Sequence, residues 1–358
     1  MQPYAVNARV SRLKVINDTF QKATGMGFGG QNVKLSPTGR RGVYDVFNET
    51  REVPTMRLPN ASAATIARQR VGTVAYNLPR WAEKMPLLLD DLANLRPIGG
   101  PVDQLDDAGE RYIADQERIL KQRFTNGREF QIASMMRGSY TFTTSGDDMT
   151  QAFTGGTYTV DYQMPSGNKN QLNMVGGGDI IGTTWSNTAA PLIRDCLAVN
   201  SGFIENTGRG LTDIYCTSVV WGHVITNQEV QSLAGSVNTP FKQWSKDDDE
   251  TMVGMLVGLP GIYWHINDNG ISLAGTFTKL IPDTAAVFTT KLTPEIAAYY
   301  ECMETVVDWV GRPPTPRKGA YFWAVPEKDP ARYDLHALHN GLPETYIPAA
   351  IAFGTVVF

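Results

Sequence analysis

Two histidines three residues apart, His336 and His339, are the nearest approach in this sequence to a metal-binding pair. No third nitrogen, sulfur or carboxylate stands at a familiar zinc spacing, so these two, like His223 and His265, read as ordinary strand or loop histidines. Asp247, Asp248 and Asp249 could attract calcium, but a calcium loop alternates its acids around a central glycine. The three acids fit better in the first turn of a helix, where the dipole favours negative charge. Gly25-Met26-Gly27-Phe28-Gly29-Gly30 looks superficially like a phosphate cradle. It matches neither glycine fingerprint, and no Lys-Ser/Thr pair follows it. No Gly-x-Ser-x-Gly elbow, Cys–His signature or dinucleotide fingerprint is present. The sequence therefore names no catalytic, cofactor-binding or metal-binding residue, and the question becomes what its secondary-structure elements build.

The chain has 358 residues, 42% of them hydrophobic, with 14 tyrosines and 14 phenylalanines, which is enough for two compact domains or one domain with extended arms. Its net charge is −4, unevenly spread: residues 1–70 hold eleven Lys/Arg against four Asp/Glu, a local +7, so the remainder carries −11. A basic arm and an acidic body can attract each other between subunits. Cys196, Cys216 and Cys302 are too widely spaced for a disulfide framework or a zinc pattern and fit a reducing cytosol. The first residues lack the apolar core of a signal peptide, and no run approaches 18 apolar residues. A soluble protein without an export signal is expected.

The central stretch runs from Asp106 to Val160. Between Asp107 and Arg137 there is no proline, and apolar residues recur at Ile113, Leu120 and Phe124, then at Ile132, Met135 and Met136, close to helical spacing. Asp107 and Arg111, like Glu117 and Lys121, stand four apart with the acid first, the favourable order on a helix face. Gly127 is the weak point, since a mid-helix glycine is about 1 kcal/mol worse than alanine, and a bend or break is expected there. Arg137 and Gly138 supply a cationic last turn and a glycine stop. Beyond them Tyr140 and Phe142, then Tyr158, Val160 and Tyr162, alternate with polar residues, the period of half-buried strands.

Upstream, residues 1–40 carry Gly25, Gly27, Gly29 and Gly30 among scattered polar residues and cannot bury a core of their own. Residues 41–88 contain two alternating pieces, Val43 to Phe47 and Val71 to Tyr76, in a region studded with Arg40, Arg41, Arg51, Arg57, Arg68, Arg70 and Arg80. A two-stranded arm with so few large apolar residues is marginal alone and needs another surface to stay ordered. Downstream, Gly167 and Gly176 to Gly178 mark a change of unit, and from Trp185 helices and strands alternate. Ala189 to Ile204 is expected as a helix, Thr212 to Val220 as a buried strand and Trp221 to Leu233 as a second helix. Ile262 to Ile266 and Ile271 to Phe277 flank Asn267-Asp268-Asn269-Gly270, a strong hairpin signal. An apolar strand, Ala285 to Phe288, follows Pro282-Asp283.

In this order the chain resembles the tailed-phage major capsid proteins, specifically the family of the phage lambda major capsid protein. The likeness rests on the long charged helix running into a Gly-Ser-Tyr-Thr strand and hairpin, and on Tyr76 to Lys84, where that family's arm returns toward the body. It rests further on the tryptophan-led helix, strand, helix and hairpin, on the Lys279-Leu280-Ile281-Pro282-Asp283 turn, and on Tyr321 to Val325, Lys328 to Arg332 and Gly341 to Pro343. It spans residue 40 to the end, with no family pattern in residues 233–260.

The resemblance implies an α+β capsid fold: an N-terminal arm (1–40), an E-loop (41–88), a P-domain (89–175 and 311–358, with a spine helix at about 107–137) and a mixed α/β A-domain (176–310). It implies a non-enzymatic head protein that self-assembles into pentamers and hexamers forming an icosahedral shell around the viral DNA, located in the virion and assembled in the host bacterial cytoplasm. Implied partners are other copies of the chain, a scaffolding protein, a portal and a decoration protein; DNA is met only non-specifically, and no membrane or cofactor is needed. Inter-subunit contacts are expected at Arg51, Arg57, Arg68, Arg70, Arg80 and Trp81, and spine-helix packing at Ile113, Leu120, Phe124 and Met135. Two other readings remain: the shell protein of an encapsulin-like bacterial compartment, which shares this fold and encloses a cargo enzyme, and a soluble enzyme, which predicts a pocket with perturbed acids.

Overall fold

A computed structural model describes residues 33–36, 41–47, 72–77, 79–88, 105–143, 157–169, 180–236, 241–246, 252–256, 258–273, 275–302, 304–306, 315–317, 321–328 and 331–357. In chain order these form β1 (Val33–Ser36), β2 (Arg41–Val46), β3 (Gly72–Asn77), β4 (Arg80–Leu88), α1 (Leu105–Met136), β5 (Ser139–Thr143), β6 (Thr157–Asp161) and α2 (Leu192–Thr207). Then come β7 (Asp213–Cys216), α3 (Ser218–Thr226), α4 (Gln228–Ser236), β8 (Phe241–Lys246), β9 (Met252–Leu256), β10 (Tyr263–Ile266), β11 (Gly270–Leu273), β12 (Thr276–Lys279) and β13 (Ala285–Thr289). The last elements are β14 (Ala297–Cys302), β15 (Glu304–Val306), β16 (Thr315–Arg317), β17 (Tyr321–Lys328), β18 (Ala331–Thr345) and β19 (Ile351–Thr355). The chain divides into two units, one of Met1–Gly42, Asn77–Glu129 and Tyr299–Pro343, the other of Val43–Tyr76, Phe130–Ala298 and Glu344–Phe358.

The first unit is built on a five-stranded sheet in the order β1-β14-β18-β17, with β4 also paired to β18. Antiparallel register sets Trp81 opposite His339, Glu83 opposite Ala337 and Met85 opposite Leu335. Because side chains alternate along a strand, Trp81, Met85 and Leu87 share one face with Leu335 and Ala337. That face receives α1, whose Leu120 and Phe124, one turn apart, pack with Leu87, Phe322, Leu335 and Ala337, flanked by Trp81, Met85 and Tyr112. The helix runs unbroken through Gly127.

In the second unit α1 ends in the buried residues Ile132, Met135 and Met136. Gly138 adopts φ +92°, a left-handed stop open to glycine without steric penalty. The strands β5 and β6 then pair with Tyr140 opposite Val160 and Phe142 opposite Tyr158, as their alternation predicts. A six-stranded sheet follows, in the order β19-β13-β7-β10-β9-β8. One cross-strand row, Trp264, Ile214, Phe288 and Ala352, joins the core into which α2, α3 and α4 send Leu192, Cys196, Val199, Phe203, Val220, Val224 and Val230. Trp185 lies at its centre, 6.1 Å from Trp264 and 6.2 Å from Phe288 between ring centroids.

Four local expectations are overturned by competition from elsewhere in the chain. Asn267–Gly270 is no hairpin turn, because both edges of β10 are taken, by β7 in parallel and by β9 antiparallel. Asn267 Oδ1 instead accepts the Asn269 N–H at 2.8 Å, and the hairpin forms one strand later, between β11 and β12, where Gly275 has φ +85°. Met252–Leu256 after the aspartates is a strand, since β8 and β10 hold its two edges. The strand expected over Thr212 to Val220 ends at Cys216, because the Asp268 carboxylate accepts the Ser218 N–H and helix α3 starts there. The single helix expected over Trp221 to Leu233 is two, because buried Asn227 donates to the Ala190 carbonyl at 2.8 Å and caps α4 through the Glu229 N–H at 2.9 Å.

Candidate assembly surfaces

At the root of the arginine-rich arm, β2 and β3 pair with each other. Alternation buries Tyr44, Val46, Val74 and Tyr76 on one face and exposes Val43, Asp45, Thr73 and Ala75 on the other. Beneath the buried face sits Glu344, only 3% exposed. Its two oxygens accept hydrogen bonds from the Tyr76 and Tyr346 hydroxyls, each at 2.5 Å. A buried carboxylate is tolerated when donors replace its water, and two phenols do so here. Tyr44 stands edge-on to both rings, 5.9 Å from Tyr76 and 5.8 Å from Tyr346, and burial, then the Glu344 charge, pushes its hydroxyl far above the ordinary phenol pKa. The Phe47 N–H adds a backbone bond to Tyr346 O at 2.8 Å. The arm is thus anchored at its root, whatever its outer part contacts.

On the helix, Arg123 makes a two-pronged contact with Glu83 at 2.7 and 2.6 Å, fastening α1 to β4 beside the aromatic cluster. Arg128, 5% exposed, places its guanidinium 4.4 Å over the Tyr299 ring and 3.8 Å from Glu301, whose pKa is raised by burial. Buried Asp334 faces Lys84 and Arg332, which hold its pKa down against the opposing effect of burial.

His336 and His339 cannot share an ion: an odd spacing along β18 sends them to opposite faces. His336 stacks on Trp323, and His339 bonds the Tyr299 hydroxyl through Nε2 at 3.0 Å. Among the described residues there is no cluster of three or more metal-ligating side chains, and no helix is long and apolar enough to cross a membrane.

Of the residues singled out as inter-subunit contacts, Arg51, Arg57, Arg68 and Arg70 lie outside the described residues. Arg80 is exposed on β4, while half-buried Trp81 packs within its own unit, 6.1 Å from Phe124 and 5.3 Å from His339. Leu120 and Phe124 are buried in the first unit and Met135 in the second. Ile113 belongs to α1, and its side chain lies outside the described residues. Sequence reasoning missed the Glu344 anchor. Val43 to Phe47 and Val71 to Tyr76 read as alternating pieces, but nothing local points to an acid 268 positions after Tyr76.

The family model of phage major capsid protein E matches residues 44–356. No curated protein matches the sequence. The fold is similar to that of a prophage protein of E. coli CFT073 described as a capsid protein, with 12% identity, 80% of each chain covered and a TM-score of 0.55. A phage-related protein from Bordetella bronchiseptica RB50 aligns over 95% of both chains at 11% identity and a TM-score of 0.49. The capsid of cyanophage P-SCSP1u covers 91% of this chain and 86% of its own at 9% identity and a TM-score of 0.45. With most of its length matched by that family model, the chain belongs to the phage major capsid protein E family and is a structural protein of a phage's icosahedral shell.

Proposed function

We propose that copies of this chain meet head to tail around rotation axes, close into pentamers and hexamers, and tile a shell around the viral DNA. In this reading residues 41–88 hold an E-loop whose outer part, 48–71, laps over the adjacent subunit while β4 stays in the five-stranded sheet of its own chain. Residues 89–175 and 311–358 form the P-domain that joins rings, with β19 adding to the six-stranded sheet. Residues 176–310 form the A-domain nearer the ring centre. The supporting observation is the anchored root of the arm. The β2–β3 pair is fixed by Glu344, and the 24 residues joining it, 48–71, contain four arginines and few large apolar residues. Such a segment cannot fold on a core of its own, so an acidic face of a neighbour is its natural support.

Each contact can be weak, because a subunit makes several at once and shared geometry multiplies them. DNA inside would meet a protein of net charge −4, which favours only non-specific contact. Assembly in the bacterial cytoplasm, with a scaffolding protein and a portal, and the absence of any enzymatic role complete the proposal. The test is sedimentation and electron microscopy of the purified protein, with and without co-expressed phage head proteins. Rings and closed shells are expected. A monomer that stays monomeric across concentration and salt would overturn the proposal, and shells filled with a host enzyme in place of DNA would reassign it.

A further inference from the structure

The β11–β12 hairpin is held unusually firmly for four-residue strands, which as an isolated pair are marginal in water. Lys279 Nζ bonds Asp283 at 2.7 Å and Asp268 at 3.1 Å, and Asp268 also receives the Ser218 N–H. The Leu280 N–H donates to Asn269 O at 3.0 Å, and the Arg137 guanidinium bonds the carbonyls of Lys279 and Leu280. What the clamp displays is Phe277. It is 64% exposed, the most exposed large hydrophobic side chain among the described residues. The ring lies across Gly270: a Cβ there would be 2.4 Å from Phe277 Cζ. An aromatic ring displayed to water on a clamped hairpin contributes little to its own core. Docking it would bury that apolar area at a fixed place on the backbone, which is the property of an interface anchor.

The same unit carries an exposed apolar stripe on one of its helices. On α2, Leu197 is 48% and Ile204 39% exposed, and their spacing of seven puts them on one stripe of the helix two turns apart. Exposed Ser201 lies between them, so two aliphatic side chains flank a small one and leave a notch. Arg194 and Glu205 at its ends are both exposed, giving the notch a charged rim.

We infer that Phe277 of one subunit seats in the Leu197–Ser201–Ile204 notch of the next subunit of the same ring. The occupant is a second copy of this chain because the family is one of shell-forming proteins, and because a knob and a notch on different elements make a head-to-tail contact, the kind that closes into rings. The contact is one anchor among several, since a single aromatic side chain covers far less than a whole stable interface. This inference rests on the self-assembly reading above.

Cysteine pairing tests it. Native Cys196 and Cys216 are buried, and burial raises both thiols; with Cys302 replaced by serine in every variant compared, the introduced surface cysteines react first. A Phe277→Cys/Leu197→Cys variant, oxidised after assembly, should run on non-reducing gels as a ladder of linked subunits up to the ring size. Wild type and both single variants should not. Phe277→Ser and Leu197→Ser should keep the wild-type melting temperature, because both side chains are exposed. Each should raise the concentration needed for ring formation by about tenfold, and the double variant by little more. Dimers from Phe277→Cys alone would mean that hairpins meet each other, overturning the inference. Rings from Phe277→Ser at wild-type concentration would overturn it too, leaving the self-assembly reading intact, whereas failure of wild type to form rings would remove that reading itself.

Discussion

The indole of Trp81 lies across Gly127: a Cβ at Gly127 would sit 2.7 Å from Trp81 Cη2 and 2.9 Å from Cζ3. The glycine that looks like a weak point in a helix is the place where a strand tryptophan reaches the helix backbone. Its propensity penalty is the condition for the Trp81–Phe124–His339 cluster.

Gly127→Ala should therefore destabilise the protein although alanine is the better helix former. The propensity gain is about 1 kcal/mol, and forcing the indole aside costs about 1–3 kcal/mol. Urea unfolding of Gly127→Ala, Trp81→Phe and the double variant checks this. The double variant should be more stable than the sum of the two singles by roughly 1 kcal/mol. A stabilised Gly127→Ala would show that the ring moves away without cost.

Phe124 is 2% exposed between Trp81 and Phe322, with centroids at 6.1 and 5.7 Å. Phe124→Ala should cost about 3–5 kcal/mol, a large part of a domain's usual stability of about 5–15 kcal/mol, and leave mostly aggregated protein. Lys121→Ala loses a partner of Glu117 on the polar side of the helix and should change stability by less than about 1 kcal/mol. Soluble yield and shell formation separate the two, and equal tolerance of both would remove the helix from the core of the first unit.

Acid should act on the two units with opposite signs at two buried groups. His339 has its pKa lowered to about 3, by burial first and then by the Arg128 charge. Its unfolded form binds a proton from about pH 6.5 downward while the native form does not, so stability at this site falls as pH drops below about 6.5. His339→Gln should flatten that loss.

Asp195, which accepts the Trp185 Nε1–H at 3.1 Å, has its pKa raised to about 6, chiefly by burial. Between about pH 6 and 4 the native carboxylate takes up a proton that the unfolded chain does not, so this site adds stability as pH falls through that window. Asp195→Asn keeps an acceptor for the indole and should remove the gain. Stability measured from pH 7 to 4, each variant against wild type, checks both signs, and parallel curves for all three proteins would contradict both.

Replacing residues 50–70 by a short Gly-Ser linker leaves Glu344, Tyr44, Tyr76 and Tyr346 in place. The shortened protein should retain the melting temperature and circular dichroism of the full chain, yet form few or no stable shells by electron microscopy. Shells as stable as wild type would show that the segment does not lap over a neighbour.

Short-range rules made much of the fold legible. The four-residue charge spacing and apolar recurrence marked α1, Gly138 marked its end, alternation marked the β5–β6 pair, and an unbroken apolar run marked β13. Each of these depends on neighbours within a turn or a hairpin, so the sequence alone determined them. The order of these pieces carried the capsid resemblance, because order along the chain survives even where identity to similar folds is 12%.

Tertiary structure decided what required a distant partner. Asn267–Gly270 has the residues of a hairpin turn, but β10 had already given its edges to β7 and β9, and a strand has only two. Glu344 became an anchor only when β18 carried it beneath Tyr76, 268 positions earlier, and Gly127 became a packing site only when β4 brought Trp81 over it. Local propensities differ by about 1 kcal/mol or less per residue, whereas filling a sheet edge or satisfying a buried carboxylate is worth several times that, so the long-range term sets the outcome wherever the two disagree.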